Sequence, residues 1–83
     1  MNFESVAVGK TIDFFLKEKK MLKGDLAKGI GVSAGLLSGY LKGRHSLSLG
    51  RFFLVCEVLE ITPIVFINRY KKAKETIKIG VEV

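Results

Sequence analysis

The 83-residue chain has no tryptophan and only one proline, one cysteine and one histidine. A lone cysteine, Cys56, closes no internal disulfide, and a lone histidine, His45, with no thiolate beside it leaves a zinc site without ligands. No apolar run approaches the roughly 20 residues that cross a bilayer. Acidic side chains are few: eight Asp and Glu stand against fourteen Lys and Arg, a net charge of +6. That balance suits a polyanionic partner such as nucleic acid, although solvation alone also accounts for it. No pair of carboxylates and no Ser/His/Asp constellation stands out. The glycine-rich segment lacks the Gly-Lys-Ser/Thr of a phosphate loop. An enzyme, a cofactor and a bound metal are therefore not expected. The opening "MNFESVAVGK" has neither the basic start nor the apolar core of a signal peptide, which with the single cysteine predicts a soluble cytoplasmic protein.

What is present is helical periodicity. Hydrophobic residues make up 48% of the chain, and the length suits one small domain. Val8, Ile12, Phe15 and Leu16 are spaced for one face of a first helix, over about 6–19, with Ser5 as its N-cap. A second helix is predicted over 23–30, with Leu26, Ala27 and Ile30 inward and Gly31 as its stop. Ser33 caps a third, 34–42, whose apolar positions are Leu36, Leu37, Tyr40 and Leu41. Ser48 caps a fourth, with Leu49, Phe52, Cys56 and Leu59 inward. Thr62 caps a fifth, in which Pro63 takes the first helical position, where its missing N–H costs nothing. The tail "TIKIGVEV" alternates apolar and polar residues as a strand does. The expected division is a helical domain over 1–75 and a C-terminal extension over 76–83, a lone strand that either pairs with another chain or frays.

The segment "LAKGIGVSAGLLSGYLKG", with two short helices joined by "GVS", resembles the helix-turn-helix of Cro and phage-repressor (XRE-like) proteins. Ala27 stands at the close helix crossing, Gly31 at the turn and Leu37 in the core. "VGKTI" and "LEITPIVFI" extend the likeness over residues 6–68. In layout the chain is also similar to the restriction–modification controller proteins. The resemblance implies an all-α, five-helix, lambda-repressor-like fold. It also implies a dimeric transcriptional regulator that binds a palindromic operator in double-stranded DNA.

The sequence departs from the family's pattern at several places. Leu22 and Lys23 stand where relatives carry a capping Ser or Thr and a base-reading Gln. Leu16 and Leu41 replace an Arg and a Glu that form a buried ion pair in many relatives. Exchanging both partners for packed apolar residues is often neutral or stabilising, so the paired change supports the alignment and predicts that the two leucines meet in the core. Gly35 and Gly39 share one face of the third helix, where relatives present side chains to bases. They either admit close approach of backbone to DNA or another helix, or reflect drift in a weakly constrained helix.

The resemblance assigns DNA contact to Lys23, Ser33, Ala34, Gly35, Ser38, Gly39, Lys42, Arg44 and His45. Phe53, Leu54 and Val58 in the fourth helix, with Ile64 and Val65 in the fifth, exceed the needs of one core stripe and are expected to form a homodimer interface. The competing expectation is a protein-interaction module on the same fold, an antitoxin or antirepressor, whose glycine-bearing third helix reads bases weakly.

Overall fold

The computed structural model describes residues 3–78. They form five α-helices: α1 (Phe3–Glu18), α2 (Lys23–Ile30), α3 (Ala34–Leu41), α4 (Leu49–Leu59) and α5 (Pro63–Lys78). No strand occurs among the described residues. The long α1 packs on α5 and on α3, while α2 packs on α4 and α3.

The helix starts follow from their capping residues. Ser33 Oγ accepts from the Leu36 N–H at 3.1 Å, Ser48 Oγ from Arg51 at 3.2 Å, and Thr62 Oγ1 from Val65 at 3.3 Å. Each satisfies one of the first N–H groups that a helix cannot pair internally. Leu22 has the same extended backbone, with φ −77° and ψ 146°, and no side-chain acceptor. The α2 N-terminus is thus left without a side-chain cap.

The ends of α1 to α4 share one device, in which a left-handed residue lets the chain turn back onto the last carbonyls. The turn residues are Lys20, Gly31, Gly43 and Glu60, with φ of 54°, 72°, 76° and 56°. The next N–H in each case reaches back to close the turn: Met21 to Leu16 O, Val32 to Ala27 O, Arg44 to Gly39 O and Ile61 to Cys56 O, all at 2.8–3.0 Å. Glycine occupies the two turns that follow α2 and α3. Lys20 and Glu60 adopt the same conformation against the steric cost of a Cβ.

Ile12, Leu26, Leu37, Val55 and Leu59 are fully enclosed, and Phe15, Phe66 and Tyr40 complete the core. Phe66 stacks on Phe15 with centroids 6.1 Å apart and meets Phe52 edge-on at 5.1 Å, which ties α5 to α1 and α4. Leu16 is buried in this core and Leu41 packs against it. Both positions are thus apolar, with Leu16 inside the core and Leu41 at its edge.

Two glycines set helix spacing. A Cβ at Gly9 would collide with the carbonyls of Tyr40 and Leu41, so α1 crosses α3 backbone to backbone. A Cβ at Gly29 would stand 2.9 Å from Val58 Cγ2, so α4 lies close on α2.

Three expectations need correction. Ser5 is no cap: it lies within α1, buried, with its Oγ 3.3 Å from Ser46 Oγ. Leu49 is 70% exposed, because the first turn of α4 projects beyond the core. Residues 76–78 continue α5, and Thr76 Oγ1 donates to the Lys72 carbonyl one turn back at 3.0 Å. Extending an existing helix adds a hydrogen bond per residue, which outweighs a short alternating pattern with no strand beside it. Residues 79–83, the rest of the expected strand, lie outside the described residues.

Gly9→Ala is expected to lower the unfolding free energy by about 1–3 kcal/mol, because backbone carbonyls cannot yield as a side chain would. Glu60→Gly is expected to raise it by about 0.5–1 kcal/mol through relief of the left-handed turn, less the entropy glycine adds to the unfolded chain. Urea titrations followed by circular dichroism measure both.

Candidate nucleic-acid interface

Helix α3 has eight residues, too few to be stable alone in water. It is held from beneath by buried Leu37 and Tyr40, and by α1 at Gly9. Its opposite side is open. Ser33, Ala34, Gly35 and Lys42 are exposed and Ser38 is half-buried. Nothing stands near Gly35 except Ser33 Oγ at 4.0 Å from the place of a Cβ, so no packing inside the chain requires glycine there.

One flank of α3 borders a groove shared by three helices. Lys10 and Asp13 of α1, Lys23 and Gly24 of α2, and Ala34, Ser38 and Lys42 line it, over a floor of Leu37 and Leu41. Asp13 is engaged by Lys17 at 3.0 Å. The groove therefore offers cations from α1, α2 and the end of α3 around one carboxylate that is already paired.

The other flank is built by the turn after α3. The Arg44 N–H bonds to Gly39 O and the Gly43 N–H to Tyr40 O, which sends the chain back along the helix. The His45 ring then lies on Gly39, where a Cβ would overlap it. The ring also meets Tyr40 edge-on, with centroids 6.4 Å apart. The Tyr40 hydroxyl accepts a hydrogen bond from Arg51 Nη1 at 3.1 Å.

Of the residues expected to touch DNA, Lys23, Ala34, Ser38 and Lys42 line the groove, and His45 lies on Gly39. Gly39 is buried, beneath His45, and is not a bare patch open to DNA. Arg51, which sequence reasoning missed, stands beside them through its hydrogen bond to Tyr40. Its sequence signal was its place three residues after the Ser48 cap, but only the fold shows that the first turn of α4 faces Tyr40. The second residues of α2 and α4, Gly24 and Gly50, have no neighbour within 4 Å of a Cβ position. The first turns of α2, uncapped and carrying Lys23 and Asp25, and of α4, capped by Ser48 and carrying Arg51, are therefore uncovered at these glycines.

The residues expected at a dimer interface divide. Phe53, Leu54, Ile64 and Val65 are exposed large hydrophobics. Val58 is not among them: it is half-buried and packs on Gly29, so the closeness of α2 and α4 takes it against the chain's own core. Leu49 and Ile67 take its place on the exposed strip, one helical turn from Phe53 and from Ile64.

Cys56 is buried, and burial pushes its thiol pKa up, as expected of a packing residue. Among the described residues no three His, Cys, Asp or Glu side chains converge to hold a metal, and no helix is long and apolar enough to cross a membrane.

Comparison with known proteins agrees with this geometry. No curated protein sequence matches the chain. Among solved structures, the clp gene regulator ClgR from C. glutamicum superposes with a TM-score of 0.82 at 23% identity, covering 88% of this chain and 95% of that one. The wild-type restriction–modification controller protein C.Esp1396I superposes with a TM-score of 0.80 at 25% identity, covering 88% and 95%. The C.Esp1396I tetramer in complex with its natural 35-base-pair operator gives a TM-score of 0.80 at 24% identity, covering 89% and 97%. The Helix-turn-helix family itself matches residues 15–66, a span that takes in α2, α3 and α4 entire. The two helices joined at Gly31, the open outer side of α3 and this match agree: the chain belongs to the helix-turn-helix family.

Proposed function

We propose that the protein is a small transcriptional regulator of Cro/repressor type, which binds a palindromic operator as a homodimer and has no enzymatic activity. The observation that carries this reading is the open outer side of α3, bordered by basic groups on both flanks. Lys10, Lys23 and Lys42 stand around one groove, and Arg44 and Arg51 stand near the end of α3. In this arrangement α3 enters the major groove. The cations and the open N-termini of α2 and α4 hold phosphates on either side, setting register and affinity. Such a protein acts where the DNA is, in the cytoplasm.

Direct reading of bases then rests on few groups: Ser33, Ser38 and Lys42, with Ala34 against a thymine methyl. DNA shape and the distance between half-sites supply further selectivity. The exposed strip of Leu49, Phe53, Leu54, Ile64, Val65 and Ile67 supports association of two copies,. Two-fold pairing places the recognition helices about 34 Å apart, one turn of DNA. The operator complex of C.Esp1396I, whose fold this chain shares, supports the same mode of action.

The bare Gly35 favours a second reading, in which α3 meets a protein instead of DNA, as in an antitoxin or antirepressor. Selection of bound sites from a random duplex pool separates the two. A regulator is expected to prefer its selected site over random duplex by at least about a thousandfold. Binding with no preferred site, or none at all, would rule the operator reading out.

Arg44→Ala is expected to weaken binding to selected and random duplex alike and to reduce the salt slope by about one. Lys42→Ala should in addition blur the preference at one base position. Equal binding by both variants and the parent would show that the docking face lies elsewhere.

Sedimentation at tens of micromolar is expected to give a dimer for the parent. The Phe53→Glu/Ile64→Glu variant, altered at positions 52% and 65% exposed, should be monomeric with its helicity kept. It should also lose most of its operator affinity, because each half-site would then be bound separately.

A further inference from the structure

Gly39 and His45 form a unit that the function above does not use. On a helical wheel, residue 39 lies beside the arc of Gly35, Ser38 and Lys42 that α3 presents outward. A side chain is missing there, and the His45 ring occupies its place. A Cβ at Gly39 would overlap His45 Cδ2 and stand 2.9 Å from Nε2. The ring is held on two sides, by Gly39 and by the edge-on contact with Tyr40, a core residue only 3% exposed. The turn that delivers it is fixed by the 2.8 Å hydrogen bond from Arg44 N to Gly39 O. His45 itself is exposed, and neither ring nitrogen has a hydrogen-bond partner among the described residues.

From this geometry we infer that His45 is a specificity-determining residue, which supplies from the loop the base-contacting side chain that Gly39 does not provide from the helix. An imidazole offers a donor and an acceptor nitrogen, which is the chemistry that recognises a base edge. Because the fold already seats the ring, little side-chain entropy is lost when it binds. A phosphate contact needs neither the glycine seat nor the tyrosine ring. Gly39 acts as a positioning residue: it touches no base and works by leaving room for the ring.

The inference rests on the operator reading, and one experiment tests the two separately. The full-length parent, His45→Ala, Gly39→Ala and the double variant are titrated against the parent's best selected duplex. They are also titrated against a set of duplexes carrying every single base-pair change, and against random duplex. The parent is expected to discriminate by roughly tenfold or more at a position that His45→Ala makes indifferent, with preferences elsewhere unchanged. Gly39→Ala, folded by circular dichroism, is expected to lose the same preference because its methyl displaces the ring. The double variant should be no worse than either single one.

A His45→Ala protein that binds every duplex more weakly by one common factor would make the ring a phosphate contact and overturn the inference. Unchanged discrimination in that variant would overturn it as well. His45 is exposed, so its removal leaves the core intact and this arm decides the matter even if Gly39→Ala fails to fold. A parent with no preference among duplexes would end the operator reading and this inference together. A selective parent whose selectivity ignores His45 would end this inference alone.

Discussion

The placement of α3 depends on one contact, the backbone-to-backbone crossing of α1 and α3 at Gly9. A helix of eight residues that carries two glycines has little stability of its own,. It persists because Leu37 and Tyr40 reach the core and because α1 comes close enough to meet the carbonyls of Tyr40 and Leu41. The same helix backs the turn after α3, since a Cβ on Gly43 would stand 2.8 Å from Val6 Cγ2. The first helix of the chain thus sets both the tilt of α3 and the direction in which Arg44 and His45 leave it. A side chain at position 9 would press on α3, and every group aimed along its outer side would shift with it.

Tyr40 carries the consequence outward. Its ring is in the core and stands T-shaped to the His45 ring, and its hydroxyl takes a hydrogen bond from Arg51. One buried side chain thereby links the hydrophobic centre to two polar groups beside α3. Precision in a binding surface comes from groups whose own positions are locked by packing. Here the lock is an aromatic residue that a count of surface charges would pass over.

The helices themselves were legible in the sequence, and for identifiable reasons. Ser33, Ser48 and Thr62 each precede an apolar periodic run and each caps the helix it was assigned. Gly31 ends α2 in the left-handed conformation its sequence position suggested. The errors fall where a local pattern competes with something longer. The alternation in 76–78 lost to a helix already propagating from Pro63. Ser5 lost its capping role because α1 begins earlier, at Phe3. Leu49 obeys the period of α4 yet lies outside the core, because periodicity shows which side a residue faces and not how far the neighbouring helices reach. Val58 shows the reverse: an apparent surplus hydrophobe is used by a glycine on another helix, Gly29.

The site was less legible than the fold because its key relation runs through space. Gly35 and Gly39 look equivalent in sequence, one turn apart on one side of a helix. The structure separates them. Gly35 has open space, whereas Gly39 is the floor beneath an imidazole that arrives from six positions further along. No periodicity links residues 39 and 45, since the left-handed Gly43 between them reverses the chain. The outer side of α3 is therefore a composite of helix and returning loop. A tally of the helix's own side chains underestimates what it presents, because Gly39 serves as the site on which His45 is placed.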